Sequence, residues 1–508
     1  MTDLVAEADS ASGILDRRYR PAAVAIFTTV ALAAFEGMAV SAALPQVAAD
    51  LGDVGLLPWV ITSFLLASSI VVVLSGPFID GLGSRRIFRL AVVIFTVTGT
   101  AAAFAPTMAI MIALRVVQGI GAGLLLASTL SGVALVYPQH LIGRAFAANS
   151  TVWGVMSVAG PALAAAMLTY LNWRWIFLIN LPLGLISLIA GWRTLPGPVE
   201  EASVRLDVRG SILVAGLTTT LLVALDAIGP LTLAWLAVSA VLGLLYLRHA
   251  RRHAQPIVRL EHLFAQPYRG LALGTGLLLA GGIAVSSYTP LYIRAGREGS
   301  TAVTAWSVLF FSIGWTAGAN ISSRLLDRWS ESAIAVLGFA FTVPGLIGLA
   351  VVARSDISLV VIFALLCLSG LGIGFSTNAG LTLLRAVTAS ASIGRVTSVY
   401  QFARSQGIAA GAAMGGAVML LVIERQIGDV EAVRQVLAGD TSGELGARIP
   451  DAVQAGFAAA AATGAVAAVV GGLMMLRMRS YLAEARARRR AVQDPARRAE
   501  WSDGEATT

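Results

Sequence analysis

The chain has 508 residues, of which 57% are hydrophobic and 13% are charged, and its mean hydropathy is +0.80. These values exclude an ordinary soluble globular protein. Apolar runs near the roughly 20 residues that cross a bilayer recur along the chain, so the sequence predicts an all-α integral membrane protein. Because the chain contains no lysine, it also excludes a phosphate-loop lysine and a lysine Schiff base.

The apolar runs predict about fourteen spans, which fall into three groups. An N-terminal half of six spans occupies residues 22–193, and a C-terminal half of six spans occupies residues 266–476. An inserted helix pair with its linkers lies between them at residues 194–265. The chain begins with a polar segment, residues 1–21, and ends with a basic tail, residues 477–508.

The arginines are distributed unevenly among the predicted loops, and their positions orient the chain. They collect before the first span, in the even-numbered loops and in the tail, whereas acids accompany the arginines of the long loop at residues 424–450. The positive-inside rule therefore predicts a multi-pass protein of the inner (cytoplasmic) membrane with both termini in the cytoplasm. The same pattern explains the net charge of +8, because the arginines orient the chain in a lipid bilayer. It therefore argues against a nucleic-acid partner.

Neither the histidines nor the cysteine predict a metal or cofactor site. His140, His249, His253 and His262 all fall in predicted loops, without metal-ligand spacing. The single cysteine, Cys367, lies in an apolar segment, so an intrachain disulfide is excluded. The sequence therefore predicts neither a cofactor nor a metal.

The segment from Gly76 to Arg89 combines glycines, an acid and arginines between two apolar runs. Glycines permit close approach of helices, and Asp80 is placed to cap a helix start or to pair with Arg85 or Arg86. The segment resembles the pattern G-x-L-x-D-r-x-G-r-r between the second and third helices of the major facilitator superfamily. This resemblance implies a conformational latch formed by Gly76, Asp80, Gly83, Arg85 and Arg86. The alternative is a turn that orients the two helices and has no other role.

A second segment, Ser323-Arg-Leu-Leu-Asp327-Arg-Trp329, follows the tenth predicted span. It echoes the Asp80 segment without its glycines, as a weak internal repeat. Many secondary transporters are built from such repeats and hold their substrate at the midplane between them. The repeat therefore supports the division of the chain into two halves.

The first predicted span contains one acid, Glu36, more than two helical turns before Pro45. A charge at that depth is costly, so such residues usually face a cavity and have a function. The stretch resembles the D-x-T-x-V-N-V-A-L-P motif of the fourteen-spanner drug:proton antiporters, with Glu36 at the aspartate position and Ser41 at the asparagine position. Glu36 is therefore the predicted proton-coupling site, and Ser41 is a candidate substrate or proton site. The alternative is a polar residue whose hydrogen bonds are satisfied by neighbouring helices.

Arg115 lies inside the fourth predicted span, where it needs a polar partner. That partner is Glu36, a backbone carbonyl or water in the cavity, and snorkelling toward an interface is the alternative. The segment Arg115-Val-Val-Gln118-Gly119 resembles the superfamily's R-x-x-Q-G-x-G motif, in which the arginine is associated with proton transfer. Arg115 is therefore the second predicted proton-coupling residue.

Three further features lie in the fifth to seventh predicted spans. Gly154, Gly160 and Pro161 partly match the antiporter motif G-x-x-x-G-P-x-x-G-G, which the family associates with exporters. The run that begins at Trp173 resembles W-R-W-x-F-x-x-N-x-P-x-G of the same antiporters. Asp226 is a second acid, near the outer end of the seventh span, and is either a candidate substrate or proton site or simply interfacial.

The resemblance implies a major facilitator fold and a proton-coupled secondary exporter (antiporter) of small amphipathic or cationic compounds that works by alternating access, and not an enzyme. Its partners are then the substrate, protons and the lipid bilayer. Two alternatives remain. One is an exporter of a lipid or cell-envelope precursor on the same fold, suggested by Met38 and Ser41 where the motif has threonine and asparagine. The other is a non-transporting membrane scaffold or sensor, in which Glu36 and Arg115 would tolerate neutral replacement.

Overall fold

A computed structural model describes residues 13–493 of the chain, except residues 53–55, 198–206, 227–229, 254–255, 300, 389–391 and 428–447. All regular structure in this part is helical, which confirms the all-α prediction. The principal helices are α1 (Arg20–Leu51), α2 (Leu57–Leu82), α3 (Ser84–Ala102), α4 (Met108–Val136), α5 (Gln139–Tyr170), α6 (Arg174–Gly191), α7 (Val208–Asp226), α8 (Pro230–Ala250), α9 (Gly270–Gly296), α10 (Thr301–Leu325), α11 (Glu331–Val352), α12 (Leu359–Val387), α13 (Ile393–Ile427) and α14 (Ile449–Gln493).

Many of these helices are long and apolar enough to cross a membrane. Nine meet that condition among the described residues, and two bent helix pairs, within α2 and α5, raise the number to 11 when each pair is one span. This confirms a multi-pass membrane protein. The number of about fourteen spans stays a prediction.

Helices extend beyond the apolar runs, which changes the location expected for the histidines. His140 lies on α5 and His249 on α8, while His262 lies on a short helix, Glu261–Phe264. The prediction that all four histidines fall in loops is therefore wrong. Hydropathy detects only apolar runs, whereas α5 begins before its apolar run and α8 continues past its own, and the helix Glu261–Phe264 is too short to be detected in this way.

A single residue, Gly83, joins α2 to α3. Its φ of 83° lies in the left-handed region that favours glycine. The Gly83 N–H donates to the carbonyl of Ile79 at 2.9 Å and ends α2, and α3 begins at the next residue. The two helices are therefore joined without an intervening loop, and the polar segment around Asp80 is held at their junction.

The helices pack as two groups with a pair beside them. Within the first group, α2 and α3 pack on α4, and α1 packs on α5 and α6; within the second, α10 and α11 pack on α12, and α9 packs on α13 and α14. Helices α7 and α8 pack on each other, and α7 also contacts α13 and α2. The two groups meet mainly where α5 contacts α10 and α2 contacts α13.

The apolar core is shared at one end of the bundle and divided at the other. Near the amino terminus, Tyr19 and Ile79 of the first group belong to the same buried cluster as Leu381 and Val396 of the second; this cluster is the shared core. At the opposite end, each group has its own clusters. The two groups are therefore closed against each other at the end where the arginine-rich loops gather.

Candidate functional site

Glu36 and Arg115 form an ion pair inside the first group of helices. Glu36 lies on α1 and Arg115 on α4, and Arg115 Nη1 donates a hydrogen bond to Glu36 Oε1. The exposed fraction is 0% for Glu36 and 2% for Arg115. Arg115 Nε also donates to the Val60 carbonyl at 3.0 Å. Two of the partners expected for Arg115, a carboxylate and a backbone carbonyl, are thus both present, and Arg115 does not snorkel.

Two buried amides complete the surroundings of the pair. Asn180 on α6 donates from Nδ2 to Glu36 Oε2 at 3.0 Å, and Arg115 Nη1 donates to Gln118 Oε1 at 2.7 Å. The centre of the Arg115 guanidinium lies 4.2 Å from the centre of the Phe64 ring. In this conformation Glu36 faces protein atoms and not the expected cavity, because Arg115 and Asn180 supply the hydrogen bonds that water would otherwise give.

The face of α3 that meets this pair carries further polar atoms. Thr96 Oγ1 and Thr100 Oγ1, together with Asn180 Oδ1 and Gln118 Nε2, are buried without a hydrogen-bond partner among the described residues. Gly99 lies between the two threonines, and a Cβ at this position would be 2.6 Å from both Asn180 Nδ2 and Gln118 Nε2. Gly99 therefore lets α3 approach the two amides that bind Glu36 and Arg115.

Asn180 and Gln118 were not predicted as site residues, although both stand in the motifs used above. The available signal was chemical: each is an amide inside an apolar segment, where an unsatisfied polar group is costly. For Gln118, the spacing of three residues from Arg115 also places the two side chains on one face of a helix.

Asp80 connects the two groups of helices at their closed end. Its Oδ1 accepts from the backbone N–H of Gly394 at 2.7 Å, and its Oδ2 accepts from that of Arg395 at 3.0 Å. Arg395 Nε lies 3.9 Å from Asp80 Oδ2. Of the two contacts expected from the sequence, Asp80 makes the first, because it caps a helix start. That helix is α13, in the other group.

Gly76 allows α2 to come this close to α13. A Cβ at Gly76 would lie 2.9 Å from Arg395 Cα, so a larger residue would push the two helices apart. The close approach brings Asp80 within reach of two N–H groups that have no partner inside α13. A carboxylate at a helix start is also favoured by the helix dipole.

The arginines that follow Asp80 contact other parts of their own group. Arg85 Nε donates to the Leu195 carbonyl at 2.6 Å, and the guanidinium of Arg89 lies 4.3 Å from the centre of the Trp192 ring. Arg86 is exposed. The alternative pairing of Asp80 with Arg85 or Arg86 is not observed, because Arg85 is directed toward the segment after α6.

A second polar contact joins the groups where α5 meets α10. Arg144 Nη2 donates to Asp327 Oδ2 at 3.0 Å, between side chains that are 44% and 50% exposed. Asp327 is the acid of the repeat that echoes the Asp80 segment. In the same interface a Cβ at Gly154 would be 2.2 Å from Thr316 Oγ1. Gly154 therefore lies at a close contact between the two groups.

The other predicted residues have a partial description. Gly160 is buried on α5, whose parts Gln139–Ser157 and Ala162–Tyr170 are inclined by 41°. The side chains of Ser41, Pro161 and Asp226 lie outside the described residues. Their predicted roles therefore stay predictions.

Asp207 forms a polar cluster at the start of α7, outside the apolar segments. Its carboxylate accepts from the Gly210 N–H at 2.8 Å and from the Ile257 N–H at 3.3 Å. The Nε2 of His249 lies 2.8 Å from Asp207 Oδ1. Burial raises the pKa of Asp207, but the hydrogen bonds from Gly210, His249 and Ile257 outweigh it, so the pKa lies below the ordinary value.

Comparison with known proteins finds a family model and several relatives that are similar to this chain. Residues 26–412 match the Major Facilitator Superfamily. The chain is 27% identical over 351 residues to the riboflavin transporter RibZ of Clostridioides difficile (strain 630), covering 68% of this chain and 76% of RibZ. It is 26% identical over 396 residues to the multidrug transporter protein MdtP of Bacillus subtilis (strain 168), covering 76% of this chain and 72% of MdtP.

A solved structure supports the fold. The crystal structure of the human organic anion transporter MFSD10 (TETRAN) matches with a TM-score of 0.59 and 17% sequence identity, over 90% of this chain and 98% of that chain. At this identity the likeness is one of fold.

Proposed function

The chain belongs to the major facilitator superfamily, whose members are transporters and not enzymes, and on this premise we propose that it is a proton-coupled exporter of small amphipathic or cationic compounds. In this proposal the halves at residues 22–193 and 266–476 rock about a central cavity, and the pair at residues 194–265 is inserted between them in sequence. The protein would lie in the inner membrane with both termini in the cytoplasm.

The ion pair between Glu36 and Arg115 is the observation that carries the proposal. Protonation of Glu36 would leave the buried Arg115 without its counter-charge, and breaking such a pair costs roughly 3–5 kcal/mol. Moving an equilibrium between two conformations from 1:99 to 99:1 takes about 5.5 kcal/mol. One proton at Glu36 would therefore supply most of the free energy needed to change which conformation is populated.

Protonation and substrate binding would then alternate. In the conformation described above, which is closed at the cytoplasmic end, Arg115 and Asn180 donate hydrogen bonds to Glu36. Proton entry at Glu36 would release Arg115 toward Gln118 and the Val60 carbonyl, to which it already donates. A cationic substrate would favour the charged form of Glu36 and so promote proton loss. Ser41 and Asp226 stay candidates for contact with the substrate or the proton.

The segment around Asp80 would act as the cytoplasmic latch. Asp80 holds the start of α13 while Gly76 permits the contact, and Gly83 with Arg85 positions the segment. Arg86, an exposed residue in the first turn of α3, would interact with solvent or lipid headgroups. Release of Asp80 from Gly394 and Arg395 would let the cytoplasmic end open.

The names of the relatives define the compounds to test. MdtP is named as a multidrug transporter, which supports transport of more than one drug by this chain. RibZ is named as a riboflavin transporter, so riboflavin belongs in the same panel. Labelled lipids belong there too, because a lipid or cell-envelope-precursor exporter is the alternative on the same fold.

Transport into inverted membrane vesicles with an imposed pH gradient tests the proposal. We expect gradient-dependent uptake of at least one amphipathic or cationic dye or drug. Uptake confined to labelled lipids would instead favour the lipid exporter. If no compound enters vesicles that contain folded protein, the result would favour the scaffold or sensor.

The variant Glu36→Gln tests the site itself. Glutamine keeps the shape and one acceptor oxygen but cannot release a proton, so gradient-driven export should be lost while exchange of substrate at equal pH persists. Glu261→Gln is a matched control, because it makes the same chemical change at a side chain that is 58% exposed and contacts Arg259 instead of Arg115. Full gradient-driven export by the Glu36→Gln variant would contradict the assignment, and Asp226 would become the next candidate.

A further inference from the structure

The inserted helix pair brings together three side chains that can ligate a metal. We propose that Asp207, His249 and His253 bind one divalent transition-metal ion, such as Zn²⁺, where α7 begins and α8 ends. The three potential ligand atoms, one from each side chain, all lie within 4.8 Å of one another. The sequence predicted no metal, because both histidines were expected in a loop, whereas on a helical turn their spacing of four residues suits one ion. Asp207 lies 42 residues before His249 and meets it only because α7 packs on α8.

Helix geometry places the two histidines side by side. His253 lies four residues after His249, and its N–H donates to the His249 carbonyl at 3.0 Å. The helical turn therefore continues past the end of α8, and residues four apart share a face. The ring centres of His249 and His253 are 5.1 Å apart with an angle of 30° between the planes. Both rings can therefore turn a nitrogen toward the same point.

Asp207 is held in place by contacts that do not involve the metal. The N–H groups of Gly210 and Ile257 bind its two oxygens, and Asp207 is 4% exposed. Such outer contacts orient a ligating carboxylate and strengthen metal binding. His249 is 18% exposed at its side chain, and His253 is exposed, so an ion can reach the cluster from water.

The ligand set selects the class of metal. Two imidazole nitrogens with one carboxylate oxygen suit Zn²⁺ and other first-row transition ions, whereas Mg²⁺ and Ca²⁺ prefer oxygen ligands alone. A tetrahedral ion about 2.0 Å from each ligand would hold the ligand atoms about 3.3 Å apart. His249 Nε2 and Asp207 Oδ1, now 2.8 Å apart, need only a small outward shift. Water would occupy the fourth position.

A bound ion would connect α7 to α8 at a point that also supports the rest of the bundle. Val214 of α7 and Tyr246 of α8 share one apolar cluster with Val399 and Phe402 of α13. The metal would therefore stabilise the packing of α7 on α8 next to α13, the helix whose start Asp80 caps.

Metal binding by the full-length protein tests the inference. The protein is purified with an affinity tag that contains no histidine, stripped with a chelator and titrated with Zn²⁺ in competition with a chromogenic chelator. We expect one ion per chain and at least a tenfold loss of affinity in His253→Ala and in His249→Ala. His140→Ala is the matched control and should bind Zn²⁺ as the unaltered chain does.

Co²⁺ gives a second readout that depends on coordination. A tetrahedral Co²⁺ site should give a visible absorption band that disappears in His253→Ala, a change at an exposed position that should leave the fold intact. The inference is overturned if Zn²⁺ affinity in His249→Ala and His253→Ala equals that of His140→Ala. It is also overturned if the unaltered chain binds no ion at 100-fold excess over protein.

Discussion

Replacing Asp80 by asparagine should weaken the closed end of the bundle. Asparagine offers one acceptor oxygen, so one of the two N–H groups at the start of α13 would lose its partner and face an amide N–H instead. A hydrogen bond to a charged group contributes roughly 1.5–3 kcal/mol, and a charge at a helix start about 0.3–1 kcal/mol. The closed conformation should therefore lose about 2–4 kcal/mol, which lowers its population relative to the open one roughly 30- to 900-fold.

Distances between the two groups of helices measure this shift. Spin labels at Arg20→Cys and Arg479→Cys, both exposed positions outside the Asp80 segment, report the separation by pulsed electron paramagnetic resonance, with Cys367 replaced by alanine. In Asp80→Asn the fraction of long distances should rise, and substrate transport should fall while substrate binding is largely retained.

Asp327→Asn is the matched control for Asp80→Asn. It makes the same chemical change in the exposed contact with Arg144, and exposed ion pairs are worth about 0–1 kcal/mol. The distance distribution should then move little. Equal shifts in both variants, or an unchanged distribution in Asp80→Asn, would refute the reasoning that Asp80 holds the end closed. Loss of substrate binding in a folded Asp80→Asn protein would refute the assignment of a latch separate from the substrate site.

Three further predictions concern the proton site, acid stability and orientation. Glu36→Asp, one methylene shorter, should keep part of the export activity that Glu36→Gln loses, and adding a cationic substrate to the unaltered protein in weak buffer should release protons. Burial lowers the pKa of His262 to about 4, so the unfolded chain binds more protons between that value and about 6.5. Stability should therefore fall as pH drops through this window. The difference in Tm between pH 7.5 and pH 5 should shrink in His262→Gln. An unchanged difference in that variant would show that another group causes the acid destabilisation. A cysteine label in the loop at residues 424–450 should react from outside the cell and one after Arg477 should not; the reverse pattern would invert the orientation and with it the direction of transport.

The sequence predicted the helical membrane fold because hydropathy and arginine placement act locally along the chain. It also selected Glu36 and Arg115, since charges inside hydrocarbon stand out from their apolar surroundings. It offered Glu36 as one of several partners for Arg115, and only the packing of the helices shows that Glu36 and the Val60 carbonyl both bind it.

Contacts between distant segments were the part that the sequence could not supply. Asp80 was expected to cap a helix start, but the start in question lies 314 residues later. Asn180 reaches Glu36 over 144 residues, and Asp207 meets His249 over 42. Each contact depends on how helices cross one another, which no local pattern of one sequence specifies.

The shared core gives the closed end a particular response to temperature. Opening that end would separate Tyr19 and Ile79 from Leu381 and Val396 and expose apolar surface to water. Such exposure raises the heat capacity, and apolar attraction weakens on cooling. The open conformation should therefore gain population in the cold, and the logarithm of the turnover rate plotted against inverse temperature should curve even in a bilayer whose fluidity does not change.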